Sequence, residues 1–181
     1  MSPVRRLDPV ESFIVGTIGQ PGEREFFLQA KFRGAIHSFA VDKLQVTALA
    51  DRMALLIGEL KSASYRFENV PVVQLEVPLI PEFQVGVIGI VWLAEKEEIL
   101  LDIQELVEGE NELIAEPDED NFDNSEGQPQ LFKLFLDPSV ANNFVQLARK
   151  VVAAGRAPCP FCGLPINKGG HLCPRANGYR R

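Results

Sequence analysis

The sequence predicts an α+β fold: two tandem strand-strand-strand-helix units forming one mostly antiparallel sheet or half-open barrel, with a metal-held C-terminal tail. Three observations predict it. A motif occurs twice, Phe13-Ile-Val-Gly-Thr-Ile-Gly19 and Phe83-Gln-Val-Gly-Val-Ile-Gly89, with the Phe, the Val, both Gly and the Ile at a constant offset. Each copy is followed by two further apolar-rich runs and then by a segment of helical periodicity. All three cysteines and one of the two histidines fall between Cys159 and Cys173.

In the first unit the strands are read at 13–19, Glu25–Phe32 and Ala35–Val41, from alternation and from β-branched and aromatic content. Gln20-Pro-Gly-Glu23 supplies the turn between the first two, and Arg33-Gly34 the turn into the third. Asp42 then stands as an N-cap before a helix over about residues 43–61. Its buried stripe is Val46, Leu49, Ala50, Met53, Leu56, Ile57 and Leu60. Residues 62–81 contain Val70-Pro-Val-Val-Gln-Leu-Glu-Val-Pro-Leu-Ile-Pro81, too apolar for a free linker and too rich in proline for a central strand. They are expected as an edge strand or a strap, which fuses the units without a hinge.

The second unit repeats the order: strands at 83–89, 99–107 and Leu131–Leu136, with a turn at Ala94-Glu-Lys-Glu-Glu98. Residues 108–130, acidic and without Lys or Arg, form an insertion that cannot bury enough apolar surface to order itself, and are expected to be a mobile loop. Asp137 caps a second helix over about 138–154, with Pro138 at its first position, where a missing N–H costs nothing. Val140, Phe144, Leu147, Ala148 and Val151 form its buried stripe, and Gly155 suits the stop. Six strands with both helices on one face are therefore expected. Residues 1–155 read as the duplicated domain (units about 11–62 and 82–155), and residues 156–181 as the metal-binding tail.

Length allows one substantial core or two small ones. No run approaches the ~20 apolar residues of a membrane-spanning helix, and Asp8 and Glu11 interrupt any signal-like segment after Arg5-Arg6. An odd cysteine count with metal-like spacing argues against a disulfide framework and predicts a reducing cytoplasm. The net charge of -7 is unevenly placed. Arg156, Lys168, Arg175, Arg180 and Arg181 stand in a tail without acids; removing their five positive charges from the total leaves residues 1–155 at -12. A polyanion would meet the tail and be repelled by the body.

Cys159, Cys162, His171 and Cys173 are the donor types that a tetrahedral Zn²⁺ ion takes, with Cys-x2-Cys spacing at the first pair and Gly163 directly after it. The His-x-Cys pair is tighter than in a DNA-reading finger. Three free thiols beside a surface histidine is the plainer reading, and the clustering argues against it. Four protein donors close the coordination shell, so the ion is read as structural, with no position left for substrate. In small peptides such a site contributes roughly 10–16 kcal/mol of apparent binding free energy, ample to order a short tail.

Other constellations carry less. Gly16-Thr-Ile-Gly19-Gln-Pro-Gly22 lacks the Lys-Ser/Thr and the helix of a phosphate loop, so its glycines are read as a bulge, bend or close approach. Asp102 and Glu105 could hold Mg²⁺ in a hydrolase or nuclease, but no lysine stands at a useful offset and the first unit has Gln29 and Lys31 instead. His37, on a strand near Ile36 and Phe39, reads as a satisfied or surface side chain. Arg175, Tyr179, Arg180 and Arg181 suit phosphate contact with base stacking, or docking on an acidic protein surface; a solvated basic end is the plainer reading. Asn177-Gly178 is a turn signal that would fold Tyr179 back toward the metal.

Ala157-Pro-Cys-Pro-Phe-Cys-Gly-Leu-Pro165, His171-Leu-Cys-Pro-Arg175 and Asn177-Gly-Tyr-Arg-Arg181 resemble the tail of a bacterial repeat-protein family found mainly in actinobacteria and relatives, a domain of unknown function. Val15-Gly-Thr-Ile-Gly19, Phe27-Leu-Gln-Ala30 and Lys43-Leu-Gln-Val46 fit the same family, so the resemblance spans nearly the whole chain. It implies the repeat and the four metal-ligand positions, and it carries over no catalytic residue. The acidic insertion is the one departure. The expected function is that of a non-catalytic, zinc-stabilised interaction protein that uses its basic tail for a protein or nucleic acid, with no membrane partner. Nucleic-acid binding proper is the first alternative, and a hydrolase or nuclease with an acidic site near Asp102 the second.

Overall fold

The structure, a computed structural model, describes residues 4–20, 22–71, 73–107, 129–155, 159–164, 166 and 170–175. Among these described residues nine elements follow one another: β1 (Val4–Leu7), β2 (Ser12–Ile18), β3 (Glu25–Phe32), β4 (Ala35–Val41), α1 (Lys43–Ser62), β5 (Pro81–Leu93), β6 (Glu98–Glu105), β7 (Leu131–Leu136) and α2 (Pro138–Ala153). The class is α+β. The expected insertion at 108–130 lies outside the described residues except for Pro129 and Gln130.

The sheet has seven strands in the order β1-β7-β6-β5-β4-β3-β2. Six mostly antiparallel strands were expected, and two things differ. Strand β1 joins the edge, parallel to β7; it escapes a sequence reading because only Leu7 of its four residues is buried. The central pair β4·β5 is also parallel. The cause is topological. A three-strand meander ends in the direction it began, so a second meander laid beside the first and started afresh must meet it in parallel. The two ends of the sheet order are joined in the chain by residues 8–11. There Val10 donates its N–H to Phe135 on β7, and Glu11 donates to Lys31 on β3, each at 2.9 Å or less.

Strand alternation sorts the side chains to two faces. Phe13, Val15, Leu28, Ala30 and Phe39 of the first meander and Leu101, Ile103, Phe132 and Leu134 of the second point into one core. Phe39, Phe83 and Phe132 meet at its centre with ring centroids 5.0–5.7 Å apart. Helix α2 lies on β2, where Phe144 stacks 4.7 Å from Phe13, and α1 packs chiefly on α2. The expected helix stripes are buried at Val46, Leu49, Ala50, Met53 and Ile57, and at Val140, Phe144 and Ala148. Leu56, Leu60, Leu147 and Val151 are only half-buried, because they flank the stripe.

Among the described residues, 63–71 and 73–80 form no strand of the sheet; they are a strap. Gln29, on the face of β3 turned away from α2, donates its amide N–H to the Glu76 carbonyl (2.8 Å) and accepts from the Glu76 N–H (2.9 Å), as a strand neighbour would. Gln29 also donates to Ser38 Oγ at 3.1 Å, so this buried amide is satisfied. The strap explains Gly16: a Cβ there would stand 2.3 Å from Leu75 Cδ1. Gly86 has a different cause. It falls where the β5·β6 register shifts between Val85 and Val87, and a Cβ would meet the Leu106 backbone at 2.9 Å. At the far end of the strap, Glu68 donates its N–H to Ser139 Oγ in the first turn of α2 (3.0 Å).

Candidate metal centre

The tail folds by local hydrogen bonds around a tight loop. Gly163 donates its N–H to the Cys159 carbonyl and Cys159 donates to the Leu164 carbonyl, both at 2.8 Å. Gly163 has φ +76°, a left-handed backbone that favours glycine, which is why it follows the second cysteine. Gly170, with φ +82°, turns the chain back into His171. Arg175 then donates to the Phe161 carbonyl (3.1 Å), linking the second half of the tail to the first.

These turns bring together the four residues singled out from the sequence. One ligand atom from each of Cys159, Cys162, His171 and Cys173 lies within 4.8 Å of all the others. The Cys159 and Cys173 sulfurs are 3.8 Å apart, and Cys162 Sγ is 3.2 Å from His171 Nε2. A disulfide needs about 2.05 Å between its sulfurs, so the thiols are free. Two sulfurs at about 2.3 Å from a common tetrahedral centre stand about 3.8 Å apart, so the observed separation fits a shared metal ion. Cys159 and Cys173 are buried while Cys162 and His171 are half-buried.

The thiols differ in their ease of ionisation. Burial raises the Cys159 pKa, but the Cys162 and Phe161 backbone amides and the two neighbouring thiols outweigh it, and the net shift is downward. Cys162 is pushed upward, by burial first and then by the Cys173 and Cys159 sulfurs, against the Leu164 amide. A metal ion takes cysteine as thiolate, so binding here would release protons from these thiols.

The other sequence candidates are placed apart from this centre or outside the described residues. Arg175 is exposed beside it, and Tyr179, Arg180 and Arg181 lie outside the described residues. Asp102 does have a lysine: Lys133, directly across on β7, donates to both carboxylate oxygens at 3.0 and 3.1 Å. Glu105, three residues along the same strand, projects to the other face and accepts from the Gln130 N–H at 3.0 Å. The two acids do not converge, because the odd spacing on a strand separates them. His37 is satisfied: Nδ1 lies 2.7 Å from Glu82, whose other oxygen takes Arg5 at 3.3 Å, and its ring stands 5.5 Å from Phe132.

Sequence reasoning passed over Phe161, Leu164 and Leu172, which are 64%, 51% and 86% exposed around the metal ligands. For Phe161 and Leu172 the signal was present in Cys-Pro-Phe-Cys and His-Leu-Cys, since a residue between two ligands in a short loop has to turn away from the centre they share.

The whole arrangement, β1 through Cys173, coincides with a known family pattern: residues 5–173 match the family described as "Protein of unknown function (DUF3090)". The chain belongs to that family. The DUF3090 match includes all four clustered donors and ends at the last of them. No curated protein and no solved structure matches the chain. Among the described residues, no helix is long and apolar enough to cross a membrane.

Proposed function

We propose that this DUF3090 protein is a non-catalytic interaction protein whose tail is held in shape by a structural Zn²⁺ ion. The observation that carries the reading is the mutual proximity of three thiols and one imidazole, within 4.8 Å. Three soft sulfur donors favour Zn²⁺ over hard cations such as Mg²⁺ or Ca²⁺. Four protein ligands leave no open position, which argues for a structural over a catalytic ion. The ordered loop would present Phe161, Leu164 and Leu172 to a partner, and exposed side chains of that size are what interfaces bury. Residues 1–155 would act as one body carrying this element, and two copies of a βββα unit would account for its form. The duplication is supported by the order β2-β3-β4-α1 followed by β5-β6-β7-α2 and by the shared Phe-x-Val-Gly-x-Ile-Gly motif.

The test is a pull-down with the full chain and with a chain lacking Cys159–Arg181, with metal content measured on the same preparations. Loss of both zinc and partners on deletion is expected; partners retained without the tail would end the reading. Nucleic-acid binding proper is the second reading, favoured by the acid-free tail on an acidic body. It requires a gel shift that weakens with salt and is lost when Arg175, Arg180 and Arg181 become Ala.

A further inference from the structure

Away from the tail, α1 and β5 leave an open trough between them. Gln45 ties the start of α1 to β5 by donating to the Val85 and Gly86 carbonyls at 3.0 and 3.2 Å. Beyond that tie two cavities run in line, of about 470 and 290 Å³, sharing Arg52 and Ile90 in their walls. The strand wall is Ile88, Ile90 and Trp92. Their neighbours across β6, Ile103, Leu101 and Ile99, are fully buried, yet these three are only half-buried. The helix wall adds Leu49, Leu55 and Leu56. A row of large apolar side chains on the core face of a central strand, left partly uncovered by the adjacent helix, is an unfilled place in the fold and not a surface accident.

Among the described residues that line it, the one cation is Arg52, where the two cavities join. Among the described residues it has no hydrogen-bond or ion-pair partner. Glu59 stands two helical turns away at the far end, too distant to neutralise it. We propose that the trough binds a free aliphatic monocarboxylate, a medium-chain fatty acid, with its head on Arg52 and its hydrocarbon chain along Ile88, Ile90 and Leu49. A single guanidinium matches a planar carboxylate bidentately. A phosphate dianion would need further cations, and the body, at -12, disfavours it. A space that runs from Gln45 to Trp92 between one helix and one strand suits a chain better than a folded peptide. The inference is independent of the metal reading.

Trp92 is the only tryptophan, so its emission reports on the trough. Titration of the full chain with decanoate gives a saturable change in that emission. Arg52→Gln raises the decanoate Kd roughly tenfold, as loss of one charge-assisted pair does, and leaves decanol binding unchanged. Leu55→Glu, at a position 65% exposed, places an acid three residues from Arg52 on the helix and has the same effect by neutralising it. Unchanged circular dichroism shows that both variants fold. No saturable change overturns the proposal, as does decanol binding equal to decanoate with Arg52→Gln silent. A dimer that Leu55→Glu dissociates would assign the trough to a second copy and overturn it too.

Discussion

Gly16 and Gly86 occupy matching places in the two motifs, yet different neighbours require them. At Gly16 the obstacle is the end of the Leu75 side chain, which can be removed; at Gly86 it is the backbone of Glu105 and Leu106, which cannot. Gly16→Ala is expected to cost about 1–2 kcal/mol in urea unfolding, as overpacking does, and Leu75→Ala in the same chain should recover part of it. Gly86→Ala is expected to cost about 2–3 kcal/mol, with no recovery from Leu106→Ala. Equal recovery in both pairs would refute the distinction. Asp102 illustrates a second residue-scale point. It looked like half of an acid pair because its partner, Lys133, is 31 positions away in the chain and adjacent only across β6·β7.

Among elements, the start of α2 holds several parts together. Asp137 accepts from the Ser139 N–H at 2.6 Å, and Ser139 in turn accepts from Glu68 in the strap. Asp137→Ala should lose about 1 kcal/mol, the usual effect of removing a cap, with no change in the denaturant slope. Ser139→Ala strands a partly buried N–H of the strap, and a loss of about 1–2 kcal/mol is expected. If the strap is a separable ornament, that substitution will instead be neutral. The strap itself was legible from its prolines and apolar residues. Its pairing through Gln29 was not, because a glutamine side chain standing in for a neighbouring strand leaves no periodicity to read.

For the molecule as a whole, the proposed division into body and metal-held tail implies that different physics stabilises each. Among the described residues the buried core cluster ends at Ala148, with Val151 and Val152 packed against it, and the four clustered donors lie beyond these in the chain. Stripping bound metal with a strong chelator should therefore expose residues 159–175 to protease while the melting temperature of the body moves by less than about 2 °C. Cys162→Ser should reproduce this and lower metal content below that of the unaltered chain. A single cooperative transition that collapses with the metal would show that the tail is part of the core's folding unit. Phe132→Ala, at the centre of the aromatic cluster, should do the reverse. A cost of about 3–5 kcal/mol to the body is expected, with metal content unchanged.

Periodicity and local chemistry sufficed for both helices, six of the strands, the caps at Asp42 and Asp137, and the four residues that cluster in the tail. Each of these depends on neighbours within a few positions, and a linear sequence displays such neighbours directly. Strand β1, the parallel meeting of β4 and β5, the Asp102–Lys133 pair and the trough at Arg52 were decided only in three dimensions. Each depends on which distant segments lie side by side, and that follows from how the two meanders share one core, not from the pattern within either.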